Sequence, residues 1–257
     1  MEETMLSNRD IFKEIIKAKD LAIHPLKLEN INGSSINLTA SEYAWYSAER
    51  KVIGDGASQT QVEIPGTLAA NNGVIKIPRG ETVNILTQEA IWVSRKISGT
   101  YHSRVSLSAK GLSNISTTLD PKWCGLSLIS MTNNSKYDQS IDVGDGIVTL
   151  TFDYLNKKAS KDHVEIAASR QDIYKRFDMS RLTIDQKQYL DGTDHRTPFR
   201  IINNMSGSDP YKQLKAHTPL RKLNNFIMHP AMLLVLGAII GELIKHLPKV
   251  IKWLSNF

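Results

Sequence analysis

Apolar residues recur along the chain with two different periods. Near the start, Ile11, Ile15 and Ile16 fall on one face of a stretch from Asn8 to Ala18, with Ser7 just before it and Leu21 following. This is the spacing of an amphipathic helix, and Ser7 carries the side-chain acceptor that caps a helix N-terminus. A helix is predicted there, with its apolar face covering one end of a sheet. From Leu21 to Leu155 the pattern changes to short runs rich in Val, Ile, Thr and Tyr. Turn-forming clusters such as Asn71-Asn72-Gly73 and Asn133-Asn134-Ser135 separate them. β-Branched and aromatic residues suit a half-buried pleated surface, which predicts strands at 21–25, 35–39, 42–47, 61–64, 74–78, 82–86, 90–94, 101–107, 115–119, 125–131, 138–142 and 147–154. Strands this short and this closely spaced point to a mainly β sandwich or jelly roll rather than a parallel α/β sheet.

After Asn156 the chain turns polar and charged, with short helices predicted around Ser169 to Phe177 and Ile184 to Leu190. Asp194 to Lys222 contains Pro198, Gly207, Pro210 and Pro219 and reads as a loop-rich connector. From Asn224 to Gly241 there is no Asp, Glu, Lys or Arg, and the stretch from Pro230 to Gly241 is almost wholly apolar. A membrane span takes about 20 residues, so this run sits at the lower edge, and His229 and Glu242 shorten it. Beyond Glu242, apolar residues alternate with Lys245, Lys249 and Lys252, and Trp253 stands at the edge, as in an interfacial helix. The C-terminal apolar helix is read as a membrane anchor, with a buried oligomerisation helix as the alternative. The division expected is 1–156 for a β domain, 157–223 for a polar connector and 224–257 for the anchor.

The chain has 257 residues, enough for one domain with an appendage. Its net charge of +6 is compatible with nucleic acid, nucleotides or an anionic membrane surface. No basic block is interleaved with regularly spaced aromatics, so nucleic acid is not the expected partner. Cys124 is the single cysteine, which excludes an intrachain disulfide and the cysteine-rich zinc site of zinc-dependent deaminases. Its apolar neighbours suit a buried residue rather than a nucleophile. The opening MEETMLSNRD lacks an apolar signal region, so synthesis into the cytosol is expected, with attachment to the inner membrane through the C-terminus.

The segment from Gly99 to Asn133 carries the most specific chemistry. It contains Arg104-Val105-Ser106-Leu107-Ser108-Ala109-Lys110-Gly111-Leu112 and then Leu119-Asp120-Pro121-Lys122-Trp123-Cys124-Gly125. Upstream lie Pro78-Arg79-Gly80-Glu81-Thr82-Val83 and Thr87-Gln88-Glu89, and earlier still Ile23-His24-Pro25 and Gly33-Ser34-Ser35-Ile36-Asn37-Leu38. In this order they resemble the dCTP deaminase and dUTPase superfamily. Its pattern runs from a turn glycine through Arg-Ser-Ser-x-x-Arg-x-Gly-Leu and Asp-Pro-Gly-Trp/Phe-x-Gly to a strand bearing a glutamate. The resemblance extends from about Leu6 to Leu155 and departs from the pattern at Arg79, an extra residue. It implies a distorted jelly roll of the dUTPase-like type, with an N-terminal helix, assembling as a homotrimer.

For site residues, the resemblance implies both loss and retention. Family deaminases use a glutamate as general base for the water that attacks the pyrimidine, with a serine and an arginine organising water and phosphates. Those positions fall on Ser130, Val105 and Ala109. No carboxylate lies between Asp120 and Asp138 to substitute locally, and losing a general base alone costs roughly 100- to 10,000-fold. The resemblance retains Arg104 and Ser106 for phosphate, Gly111 within the same motif, and Asp120, which in the dUTPase branch contacts deoxyribose and orients water. Trp123 and Gly125 keep the turn that shapes the base pocket. Each also has a plain structural role open to it: Arg104 pairing with a carboxylate, Ser106 satisfying backbone, Asp120 before Pro121 making a turn. The family's closing tail motif is not evident after Leu155, and Tyr189-Leu190-Asp191-Gly192-Thr193 is a faint echo of it.

Three functions are therefore weighed. One is a membrane-associated sensor or effector that binds a pyrimidine deoxynucleotide without deaminating it, with a defence role by analogy. Another is an enzyme: a dCTP deaminase working through other groups, or a dUTP/dCTP diphosphohydrolase using Asp120, Arg104 and Mg2+ carried by the triphosphate. The last is a trimeric scaffold for C-terminal membrane helices.

Overall fold

A computed structural model describes residues 4–53, 60–160 and 177–216. The helix expected from the leading apolar spacing forms as α1 (Asn8–Lys17). Ser7 and Asp10 close its N-terminus reciprocally: Ser7 Oγ accepts the Asp10 N–H at 3.3 Å, and the Asp10 carboxylate accepts the Ser7 N–H at 3.2 Å. Ile11 and Ile15 are fully buried and Ile16 half-buried. Glu14 shares the buried face, where its carboxylate accepts from the Tyr154 hydroxyl at 3.0 Å and from Lys17 at 2.9 Å. Burial of a charge requires such donors.

The described chain is mainly β. Its strands are β1 (Thr4–Met5), β2 (Leu21–His24), β3 (Ser35–Tyr46), β4 (Glu49–Ile53), β5 (Thr60–Ile64), β6 (Ala70–Asn71), β7 (Val74–Ile77), β8 (Thr82–Val93), β9 (Ile97–Ser103), β10 (Leu112–Asn114), β11 (Thr117–Leu119), β12 (Cys124–Asn133), β13 (Gln139–Asp142) and β14 (Gly146–Tyr154). Nine of them form one sheet in the order β10-β12-β8-β3-β14-β9-β11, with β1 added on β14 and β2 on β8. Every ladder in it is antiparallel. The sheet curls: Ser103 Oγ, on β9, donates to the Asn114 carbonyl, on β10, at 3.0 Å, although these strands stand near opposite ends of the order. Inside the curl, Leu38, Ile85, Val148, Leu150 and Phe152 are fully buried. The hydroxyls of Tyr101 and Ser127 meet at 2.6 Å. Two smaller sheets, β13-β7-β6 and the hairpin β4-β5, complete the β structure.

Several sequence-based boundaries need correction. Segments 35–39 and 42–47 are one strand, β3, with a register shift between Ala40 and Ala44. Segments 82–86 and 90–94 are likewise one strand, β8. The polar Thr87-Gln88-Glu89 between them reads as a break, yet Thr87 and Glu89 are buried. The Glu89 carboxylate accepts the Thr39 N–H at 2.8 Å and the Thr39 hydroxyl at 2.7 Å, with Lys27 Nζ 3.4 Å away. Segment 101–107 is not a strand to its end, because β9 stops at Ser103 and Val105–Ser108 form a single helical turn, α2. Segment 115–119 shortens to β11, and β4 and β10 were not foreseen.

Beyond Tyr154, the helix expected at 184–190 is α3 (Ile184–Asp191), closed by Thr183 and Gln186. The loop-rich reading of 194–222 is corrected by α4 (Pro198–Gly207) and α5 (Asp209–Ala216). Pro198 begins α4 rather than breaking it: Thr197 caps the helix and proline's missing N–H falls where no helical bond is due. Ile201 and Met205 of α4 are buried, the helix packs on β2, and Met205 Sδ accepts the Ile23 N–H at 3.3 Å. The helix expected at 169–177 falls, apart from Phe177, outside the described residues, as does the apolar stretch 224–257. Among the described residues no helix is long and apolar enough to cross a membrane. The chain divides into two compact units, Met1–Tyr211 and Lys212–Phe257, and the sites below belong to the first.

Candidate functional site

Apart from Ser130, the residues singled out from sequence fall into two clusters. The first surrounds α2. Arg104, extended at φ −83° and ψ 131°, leads from β9 into the turn, and its Nη1 donates to the Gly146 carbonyl at 2.7 Å. Gly146 is required for this, because a Cβ there would collide with the guanidinium. Ser106 is exposed on the turn. Val105, at the family serine position, is 84% exposed, and Ala109, at the family arginine position, is also exposed. Gly111 ends the segment at φ 83° and its carbonyl accepts the Asn134 N–H at 2.8 Å.

The second cluster is the turn between β11 and β12. Asp120 is exposed and accepts from the Thr118 hydroxyl at 3.2 Å, while its carbonyl accepts the Trp123 N–H at 3.0 Å. Lys122 holds φ 68° at the position where the related pattern has glycine, so the backbone turn survives the change of side chain. Trp123 Nε1 donates to the Gly125 carbonyl at 3.2 Å, and Gly125 takes φ 142°. Cys124 is buried and its thiol is pushed up to about 12 by burial, which removes it as a nucleophile at neutral pH. Gly99 pairs with Leu119, and the extended chain from Gly99 to Arg104 spans about 16 Å. The phosphate candidates Arg104 and Ser106 therefore stand well apart from the Asp120 turn within one chain.

Ser130 lies on neither cluster. It faces Asn84 in the β12–β8 ladder and donates to the Asn84 side-chain carbonyl at 2.6 Å. The Asn84 amide in turn donates to Ser47 Oγ at 3.2 Å. This neutral row lines a cavity of about 340 Å³, with Leu128 and Phe177 as apolar walls and Arg50 and Glu63 as charged ones. Phe177 is held from behind by Trp45, ring centroids 4.8 Å apart and nearly parallel. A second cavity, of about 420 Å³, opens beside Tyr46, Glu49, Ile64, Gly66 and Glu81. Sequence reasoning missed Asn84, Arg50 and Glu63. Pairing 61–64 with a strand at 49–53 would have aligned Arg50 with Glu63. Among the described residues, no three or more His, Cys, Asp or Glu side chains gather to hold a metal ion.

The family model described as dCTP deaminase-like matches residues 5–155. No curated protein matches the chain. Similar solved structures include the 2′-deoxycytidine 5′-triphosphate deaminase from Agrobacterium tumefaciens, at 10% identity and TM-score 0.46, covering 63% of this chain and 51% of that one. A mutant dUTPase from phage phi11 of S. aureus matches at 14% identity and TM-score 0.37, covering 58% of this chain and 99% of its own. The EIAV dUTPase matches at 20% identity and TM-score 0.31, covering 47% and 99%. This chain thus spans about half the length of the Agrobacterium deaminase.

Proposed function

The chain belongs to the dCTP deaminase-like family, and we propose that it binds a pyrimidine deoxynucleotide without deaminating it. The observation that carries this reading is the Ser130–Asn84 pair, a neutral hydrogen bond where the family places its general base. A serine hydroxyl ionises far above neutral pH and cannot take and return a proton at each stage of deamination. The exposed Val105 and Ala109 offer no hydroxyl or guanidinium to order water. What persists suits binding: Arg104 engages the Gly146 carbonyl through one nitrogen and keeps further N–H donors for a phosphate, beside the Ser106 hydroxyl. With no metal-holding group among the described residues, Mg2+ would be held chiefly by the triphosphate's own oxygens.

In this reading the chain works as a homotrimer, in which a neighbouring copy's Asp120 turn complements the Arg104 cluster that one chain leaves about 16 Å away. Residues 224–257 attach it to a membrane, with the β domain on the cytoplasmic side. Binding without turnover suits a sensor, since a ligand shifts an equilibrium only through its different affinities for the two states.

The test is a thermal-shift screen of the full chain against dCTP, dUTP, dTTP and the corresponding ribonucleotides with Mg2+, followed by product analysis of each hit. Stabilisation with the nucleotide recovered intact is expected. Metal-dependent pyrophosphate release that disappears in Asp120→Asn would make the protein a diphosphohydrolase, and ammonia release would make it a deaminase. No shift with any nucleotide would favour the scaffold.

A further inference from the structure

The β4–β5 hairpin stands outside the curled sheet. Among the described residues its two strands pair only with each other, and a lone two-stranded hairpin is marginal in water. The ladder sets Glu49 opposite Ile64 and Lys51 opposite Val62, so alternation gathers Glu49, Lys51, Ile53, Val62 and Ile64 on one face. The exposure of its apolar side chains runs from 37% at Ile64 through 39% at Val62 to 56% at Ile53. β-Branched residues left in water side by side mark a surface that something covers.

The same face continues into the cavity of about 420 Å³ beside Tyr46. Ile64, Pro65 and Pro78 line it with Tyr46, whose hydroxyl is taken up by the Lys76 carbonyl at 3.1 Å. Glu49 and Glu81 make it acidic. An apolar lining with two carboxylates suits a partner that brings apolar side chains and a cation, and the hairpin face itself carries both. Lys51 Nζ lies 3.6 Å from Glu49 on its own strand, but both side chains are largely exposed, and such a pair contributes little and is readily exchanged.

The order of charges along β4 identifies the partner. Glu49 and Lys51 stand two residues apart on one strand, so a second β4 running the opposite way presents them in reverse, cation to anion and anion to cation. An isologous contact requires this kind of self-complementarity. A different protein would have to match the pattern, whereas a second copy does so by symmetry.

We propose that this face seats a second copy of the chain: two β4–β5 hairpins pack face to face about a twofold axis, each Lys51 reaching the other copy's Glu49 at the mouth of the Tyr46 cavity. The contact is separate from the threefold association above and does not depend on nucleotide. It joins two single chains into a dimer, or two trimers into an assembly of six.

The test is sedimentation equilibrium of the full chain over a range of concentrations, for the wild type, Glu49→Lys, Lys51→Glu and the double swap. The wild-type mass should rise to that of two or six chains. Each single reversal brings like charges together at both symmetry-related pairs and should weaken this step by at least about tenfold. The swap of both residues restores opposite charges across the axis and should recover most of the association. A wild-type mass that stays at one or three chains would overturn the proposal and leave the face to another segment of this chain or to a different protein. Association untouched by either single reversal, or a double swap no better than the single changes, would overturn it as well.

Discussion

Ser130 and Asn84 face each other across β12 and β8, and the serine hydroxyl donates to the asparagine carbonyl at 2.6 Å. The pair is neutral and internally satisfied, so restoring one family group should not restore chemistry. Ser130→Glu is expected to release no ammonia from dCTP, because Val105 and Ala109 still leave water and phosphates unorganised. The triple change Ser130→Glu, Val105→Ser, Ala109→Arg should rise above the uncatalysed background. Activity in the single variant would show that the missing hydroxyl and guanidinium do not matter.

Lys27 guards a buried carboxylate. Its Nζ donates to Thr39 Oγ1 at 2.9 Å and Gln88 Oε1 at 2.7 Å and sits 3.4 Å from Glu89, which is 2% exposed. Lys27→Met removes the cation while the carboxylate still holds the Thr39 N–H. Stability to urea should fall by about 3 kcal/mol, the scale for breaking one side of a buried pair. Adding Glu89→Gln should recover part of the loss, and a double variant no better than the single would refute this account.

His195 is 3% exposed, among the described residues neither ring nitrogen has a hydrogen-bond partner, and the ring stacks on Tyr189 at 4.9 Å. Tyr189 stacks in turn on Tyr43 at 5.6 Å. Burial pulls the imidazole from 6.5 down to about 4, with Arg196 adding to the effect and Asp194 opposing it. The folded-state value lies below the unfolded one, so the unfolded chain binds the proton first as pH falls. The stability tied to neutral His195 is whole above pH 6.5 and is lost between there and about 4, on the order of 3 kcal/mol. His195→Phe keeps the stack, needs no hydrogen bonds, and should flatten the urea midpoint over this interval. A residual slope of the same sign is expected from His24, which burial also lowers. An unchanged pH profile in His195→Phe would place the acid sensitivity elsewhere.

Gly111 and Gly73 separate backbone strain from crowding. Both hold positive φ, 83° and 77°, but a Cβ at Gly111 would come within 2.7 Å of the Ser135 side chain while one at Gly73 meets nothing within 4 Å. Gly73→Ala should cost about 1 kcal/mol from the left-handed backbone alone, and Gly111→Ala at least about 1 kcal/mol more. Equal losses by thermal denaturation would mean that the Ser135 loop gives way freely.

How far the chain could be read in advance depended on whether the decisive interactions were local. Ser7, Asp10, Ile11 and Ile15 lie within one another's reach in α1, and that helix was read closely. Glu89 looks like a surface residue until Thr39 and Lys27, from remote parts of the chain, supply its donors, so β8 was split at its most buried polar point. Pro198 was read as a breaker because its role as a first helical residue depends on Thr197 before it and the buried Ile201 and Met205 after it. The family motifs located Arg104, Ser106, Asp120 and Trp123. Motif order does not report distance, and β9 separates the first pair from the second. The cavity at Ser130 was illegible because its charged wall depends on the pairing of β4 with β5.

The pairing of β1 with the end of β14, Met5 opposite Asp153, ties the start of the domain to its last strand. β14 also lies between β3 and β9, so until it arrives both flank an open seam. On a ribosome adding about 5–20 residues per second, the first strand waits at least several seconds for its partner to be made. The early chain must pass that interval with unpaired β edges, the exposure that favours aggregation over folding. Fragments ending before Gly146 should accordingly aggregate rather than fold.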